Sequence, residues 1–489
     1  MADQQAQKAI LKRASRSDVN GWIQLHIEGS PSERGFQHGY LLARELREAL
    51  TSIRYLIFQQ TGVTFEWFAQ NAQAMFADRL ASNYGGKLAD GSGAEILAEI
   101  EGIVEGANAA RQSGDPEVTL ADVIGWNAYP GMICQWFPAV MSGQIKPVVP
   151  LSDKTPEQLQ RLAHTHRNAK PPSFHGHHCS AFVATGDWTA DGGIVIAQET
   201  WQLFANGDAY NVILDLHPDK GSSILMQSVP GYVYSSTDFW VMSSGLTVAE
   251  TSLNVNGYDP NGLPEFFRAR RASQYADCID DWCELFQFGN NGGYVNTWLL
   301  GHTETGEISA YELTLNHEER QPVLQSGYYA SCNIPLSVKI RNLDAPGSGY
   351  DNILKSGARR VRFEQLMAEH KGRIDPARAQ AVLADHHDLY TRKDVPSGRT
   401  ICGHFDIDDD AHAAAHAPYY PWGSLDGKVT STELARQMKL QARWGRACGT
   451  PLNVDEFLTR NPQYDWLRGH MKDRPTRPWT EFSSVNWTR

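Results

Sequence analysis

Apolar and polar positions change rhythm along this chain, and each change predicts a set of elements. Up to about residue 130 the apolar spacing is helical. Leu41, Leu42, Leu46, Leu50, Ile53 and Leu56 predict a helix across 35–60. Ile96, Leu97, Ile100, Ile103, Val104 and Ala107 share one face of another across 95–110. Thr119 stands where it would cap a short helix at 120–124. Across 143–178 the periodicity disappears. Pro147, Pro150, Pro156, Pro171 and Pro172 interrupt polar sequence carrying His164, His166, His175, His177 and His178. Such composition predicts an exposed leader with little regular structure beyond one helical turn at 156–162. From Cys179 onward the period becomes two. Strands are expected at 180–185, 194–198, 210–216, 223–227, 239–243, 246–253, 294–300 and 308–313. Helices are expected at 264–288, 356–369, 376–383 and 430–447, the last opening on the capping-box pattern Thr430-Ser431-Thr432-Glu433.

Helices, then antiparallel strand pairs, then helices again predict an α+β enzyme domain. A cysteine heading the first central strand favours a four-layer α-β-β-α sandwich, two antiparallel sheets flanked by helices. The expected organisation is a mainly helical part at 1–142 packed on the core, a linker at 143–178, and a catalytic core at 179–489. The chain shows no internal repeat.

Composition narrows the function classes. Charged residues make up 20% of the chain, and 44 basic against 56 acidic residues give a net charge of −12 without a block of like charge. That balance argues against nucleic acid and against an anionic membrane surface as partners. No apolar stretch reaches bilayer length, so membrane insertion is not expected. The first residues lack the apolar core of a secretory signal. Seven cysteines, an odd number and mostly far apart, do not suit a disulfide scaffold, which points to a reducing, cytoplasmic compartment. The sequence leaves a homo-oligomer open.

The candidate chemistry centres on Cys179, in the run His177-His178-Cys179-Ser180-Ala181. Cutting the His178–Cys179 bond would give one residue both a thiol and a free α-amine. An α-amine titrates near 7.7–8.0 and a thiol near 8.5, so the amine can take the thiol proton near working pH. The same thiol could first attack its own upstream carbonyl in an N-to-S acyl shift, releasing the leader. A rival metal reading of His175, His177, His178 and Cys179 is weak, because adjacent histidines do not converge readily on one ion. No CxxC or HxxxH element supports it. No metal and no cofactor is expected.

Several runs in order carry a resemblance: Cys179-Ser180-Ala181; Gln198-Glu199-Thr200-Trp201; Ser235-Ser236-Thr237-Asp238-Phe239-Trp240; Ser244 to Thr251; Ser331-Cys332-Asn333-Ile334-Pro335; and Gly423 to Val429. Together they resemble the phospholipase B-like family of N-terminal-nucleophile (Ntn) hydrolases. In the helical part, Glu33-Arg34-Gly35-Phe36-Gln37-His38-Gly39 is similar to penicillin acyltransferase-type and bile-salt-hydrolase-type enzymes. The resemblance implies Cys179 as nucleophile, with Asn254 as oxyanion donor and Asn333 holding the amine or the tetrahedral intermediate. Arg359 resembles an arginine near the thiol in bile-salt hydrolases, although a salt bridge on a helix surface is the plainer expectation. Asn296 matches a family Asn-x-Trp run, and Glu199 and Thr200 fall in the matching segment beside the nucleophile strand. Trp201, Tyr234 and Trp240 are candidate substrate-binding aromatics. Gln198 stands where the family usually has histidine, and Thr237 where it has an acidic residue.

These differences favour a linear amide over a phospholipid. The leading expectation is a self-processed cysteine hydrolase of an acylated small molecule, amide or ester, working through a thioester. A phospholipase B-type lipid acyl hydrolase or an acyltransferase is the alternative, and an uncleaved binding protein is the non-enzyme reading.

Overall fold

In the computed structural model the described residues are 2–151, 179–409 and 418–485. The predicted leader from 152 onward and His178, the upstream half of the expected cleavage site, lie outside them. The leader's first residues carry no helix or strand, yet they are tied down. Val149 receives hydrogen bonds on its carbonyl from Trp67 Nε1 and Asn71 Nδ2, and its N–H donates to Asn71 Oδ1.

Two large sheets organise the chain. The first sheet is built from β1 (Ser15–Val19), β2 (Trp22–Gly29), β5 (Val212–Pro218), β6 (Ile224–Ser228), β7 (Phe239–Met242), β8 (Leu246–Ser252), β9 (Asn296–His302), β10 (Glu307–Leu313) and β11 (Glu318–Arg320), hydrogen-bonded in that order. Its pairs are antiparallel except β2 with β5, which run parallel. The helical first part of the chain therefore also supplies an edge of the main sheet, where β2 is buried over most of its length and Ile23, Leu25 and Ile27 enter the apolar core. The second sheet runs β12 (Gly327–Ser331), β3 (Cys179–Thr185), β4 (Val195–Leu203), β16 (Asp426–Ser431), β17 (Lys439–Trp444) and β18 (Thr480–Ser483), with β15 (Trp422–Ser424) also on β4.

Strands β3 and β4 are buried on both faces. Ala181, Val183, Ile194 and Ile196 face the larger apolar core. Phe182, Ala184, Val195 and Ala197 face a second cluster with Phe363, Met367 and Val382. The period of two thus sends alternate residues into separate layers. Contacts of β3 and β4 with β8 join the sheets. Helices Gly357–His370 and Pro376–Leu383 pack on the second sheet, and Glu265–Tyr275 and Ile279–Gln287 on the first. The architecture is mixed α and β, with open and largely antiparallel sheets.

Three expected helices differ. The helix across 35–60 is two, Pro31–Leu41 and Ala43–Thr61, because Leu42 leaves helical geometry at φ −114°, ψ 21°. The helix at 264–288 breaks where Ala276 and Cys278 become extended. At 430–447 the Thr430–Glu433 capping box does not form: Thr430 lies in β16, the cap is one residue later, and the helix stops after one turn. Ser431 Oγ accepts from the Leu434 N–H, capping Thr432–Arg436. Met438 then takes a left-handed φ of 49°, and β17 begins with alternate burial.

Candidate active site

Cys179 is the first residue of β3, paired across the ladder with Thr200 of β4. Its backbone N–H donates to Asn333 Oδ1 at 3.3 Å, and its carbonyl accepts from Arg359 Nη1 at 2.6 Å. Arg359 Nη2 also donates to Asn333 Oδ1, at 3.0 Å, so one amide oxygen and one guanidinium hold both ends of the residue. Asn333 is aimed by its own backbone. It sits just beyond β12 with φ 67°, a left-handed geometry asparagine tolerates better than most residues. Its Nδ2 donates to the Ser252 carbonyl at 2.8 Å.

Arg359 is not on a helix surface. It is 1% exposed, and its guanidinium lies over the Trp201 ring at 4.1 Å. Burial dominates its titration and pushes it below the ordinary arginine value. Glu199 in turn fixes Trp201: its Oε1 accepts from Trp201 Nε1 at 2.9 Å and its Oε2 from Ser424 Oγ at 2.7 Å. Burial raises the Glu199 carboxyl well above the usual range. Thr200 belongs to a polar group beneath the strand. Lys428 Nζ donates to Thr200 Oγ1 at 2.7 Å and lies 3.0 Å from Asp426 Oδ1, which also accepts from the Thr200 N–H at 2.9 Å.

The thiol faces Glu250 of β8, with Sγ 3.7 Å from Oε1. Burial pushes the Glu250 carboxyl up to about 8. Burial first, and then the Glu250 charge, push the Cys179 thiol well above its usual value. Asn296, at the head of β9, donates to Glu250 Oε2 at 3.0 Å with its amide turned nitrogen-first. Sequence reasoning passed over Glu250, Asp426 and Lys428 as individual residues. The signal was available, since all three fall inside the motif runs.

Cys179, Thr200, Trp201, Asn206, Tyr210 and Tyr294 share the wall of a cavity of ≈ 50 Å³. A much larger open groove, ≈ 1120 Å³ beside Arg16, Glu45 and Lys472, shares Asn206 with that cavity but is not lined by Cys179.

Three expected site residues make none of the hydrogen bonds described around Cys179. Asn254 is exposed, two residues past the end of β8 at Ser252. Tyr234 is fully buried, stacked on Tyr232 at 5.2 Å, and Trp240 lies inside the sheet core. Neither lines the cavity, so both contribute packing.

The family model described as Phospholipase B matches residues 18–478. The chain belongs to the phospholipase B family. It is 23% identical over 438 residues to phospholipase B-like protein C of Dictyostelium discoideum, covering 80% of this chain and 71% of that protein. To bovine phospholipase B-like 1 it is 26% identical over 300 residues, 54% of this chain and 52% of the relative. To phospholipase B of Crotalus adamanteus it is 24% identical over 297 residues, 54% and 51%. With the latter two, the matched stretch spans about half of the relative's length. Membership in this family makes the chain a relative of proteins named as phospholipases, where the sequence had favoured a linear amide. Among the described residues, no helix is long and apolar enough to cross a membrane.

Proposed function

We propose that the chain is a self-processed cysteine hydrolase of the N-terminal-nucleophile type, a four-layer α-β-β-α enzyme that removes an acyl group from an ester. The observation that carries this reading is the grip on Cys179. Its nitrogen is held by Asn333 Oδ1, its carbonyl by Arg359, and its side chain reaches a cavity wall.

In processing, Sγ attacks the His178 carbonyl carbon, the thiol proton passes to the departing peptide nitrogen, and a thioester with a free Cys179 α-amine results. Water then cleaves the thioester, releasing the upstream carboxylate and regenerating the Cys179 thiol. In turnover, that amine takes the Sγ proton, and sulfur attacks the acyl carbonyl. The departing alcohol receives the proton, and water hydrolyses the thioester to the acid. Burial pushes the thiol well above its usual value, so attack needs a base beside it, and the freed amine of the same residue supplies one. Asn333 keeps the nitrogen turned for that task. The apolar and aromatic wall suits an alkyl or aryl acyl group, and the names of the relatives support a lipid ester. An amide would pass through the same thioester. The cavity is far smaller than the ~300–1,000 Å³ of ordinary ligand sites, so turnover requires it to open.

Intact-mass analysis with N-terminal sequencing tests the first half. The expected result is a chain beginning at Cys179 in wild type and an uncut chain in Cys179→Ala. The second half is tested with phospholipid esters and matched acyl amides. Release of fatty acid by wild type but not by Cys179→Ala is expected. An uncut wild-type chain that is inert to both substrate classes would overturn the reading in favour of a binding protein.

A further inference from the structure

Four ligand-type side chains from three distant segments meet behind the nucleophile strand. His386 follows the helix Pro376–Leu383, Cys402 and His404 sit in the loop that reaches Gly423, and Cys448 lies just beyond β17. Their donor atoms all lie within 4.8 Å of one another. His404 Nε2 is 3.1 Å from His386 Nε2, 3.4 Å from Cys402 Sγ and 3.5 Å from Cys448 Sγ.

A single imidazole nitrogen has one position for a proton or a lone pair, so it cannot bond well to three neighbours. One cation at the centre satisfies all four. Zinc bonds of about 2.3 Å to sulfur and 2.0–2.1 Å to nitrogen, arranged tetrahedrally, separate two nitrogens by about 3.3 Å and a nitrogen from a sulfur by about 3.5 Å. The observed separations agree with that geometry. We propose that His386, Cys402, His404 and Cys448 form a structural zinc site.

Two sulfurs and two imidazoles suit zinc rather than magnesium or calcium, and four protein ligands leave no open position for catalysis. Thr450 supports one corner, its N–H donating to Cys448 Sγ at 3.4 Å. Cys402 and His404 are buried, and His386 and Cys448 are half-buried, which gives the ion an entry side. The site is also placed to matter. Next to Cys402, the Ile401 carbonyl accepts from Ser180 Oγ at 3.0 Å, one residue after the nucleophile. A Cβ on Gly403 would lie 2.5 Å from the Trp201 ring, so that loop forms the backing of Trp201. The ion would pin the loop there. The sequence concealed the cluster because its ligands are separated by 16, 2 and 44 positions, with no short metal motif.

The test measures metal content and free thiols on the full chain purified without chelator. One zinc per chain is expected. After demetallation, one equivalent of Co²⁺ should bind and give a thiolate-to-cobalt charge-transfer band. Cys448→Ser and His386→Ala should each bind Co²⁺ at least ~10-fold more weakly, whereas Cys278→Ser, an exposed cysteine outside the cluster, should bind it like wild type. His386→Ala serves as the second variant because its half-exposed ring is the gentler loss, and the wild-type titration depends on no variant. A wild-type chain that is metal-free as purified and takes up no Co²⁺ would overturn the proposal. So would a Cys402–Cys448 disulfide in the native protein.

Discussion

At the residue scale, the candidate site depends on one asparagine more than on the arginine above it. Asn333 Oδ1 accepts from both the Cys179 nitrogen and Arg359, while its Nδ2 is committed to Ser252. Asn333→Ala removes the acceptor that turns the nitrogen and leaves a buried guanidinium short of a partner. Self-cleavage and acyl-ester turnover should each slow by about 10²-fold, the scale found for losing one positioned polar group in an active site. Band densitometry over time checks the first and steady-state kinetics the second. The sequence made Asn333 and Cys179 legible because each lies within a family motif. It could not rank Asn333 against Asn254. Both are asparagines near strand ends, and only the three-dimensional path leaves one at the thiol and the other exposed.

At the scale of elements, the tightest helix contact is written in glycines. Gly35 and Gly39 of Pro31–Leu41 meet Gly102 and Gly106 of Ser92–Ala109, each pair spaced by four. A Cβ on Gly39 would fall 2.0 Å from the Ile103 carbonyl oxygen and 2.8 Å from the Ala107 nitrogen. Backbone atoms inside a helix cannot step aside as a flexible side chain can. Gly39→Ala should therefore cost at least the ~1–3 kcal/mol of an overpacked core, read as a lower urea midpoint with an unchanged slope. Helix positions here were legible from periodicity, and Thr119 caps its helix as expected, its Oγ1 accepting from the Asp122 N–H. Breaks were not. Leu42 and Met438 interrupt runs whose local pattern continues, since the reversal is imposed by what each segment packs against.

For the molecule as a whole, the helical first part is welded to the sheets by buried polar groups. Glu99 bonds Arg34 Nε at 2.5 Å and Arg270 Nη2 at 2.9 Å, and the Arg270 and Arg34 charges hold its carboxyl down to about 2 against the burial that would raise it. His38 is buried, its Nε2 accepts from the Gly231 N–H at 2.9 Å, and burial pushes it down to about 4. A lowered folded value means the unfolded chain takes the proton first. The stability from His38 is complete above about 6.5 and is lost as pH falls through about 4. His38→Gln, which keeps an acceptor, should flatten that part of the curve of urea midpoint against pH. An unchanged slope between pH 6.5 and 4 would show that other groups dominate.

The sequence by itself determined the alternation of helical and strand segments, the strand headed by Cys179 and the motif order of the family, because periodicity and local capping act within a few residues. Only the tertiary structure decided that Arg359 lies buried against the Cys179 carbonyl, that Glu250 faces the thiol, and that His386, Cys402, His404 and Cys448 converge. Those facts depend on the distance between segments far apart in the chain, which is fixed by how the two sheets pack and leaves no mark in any short window of residues.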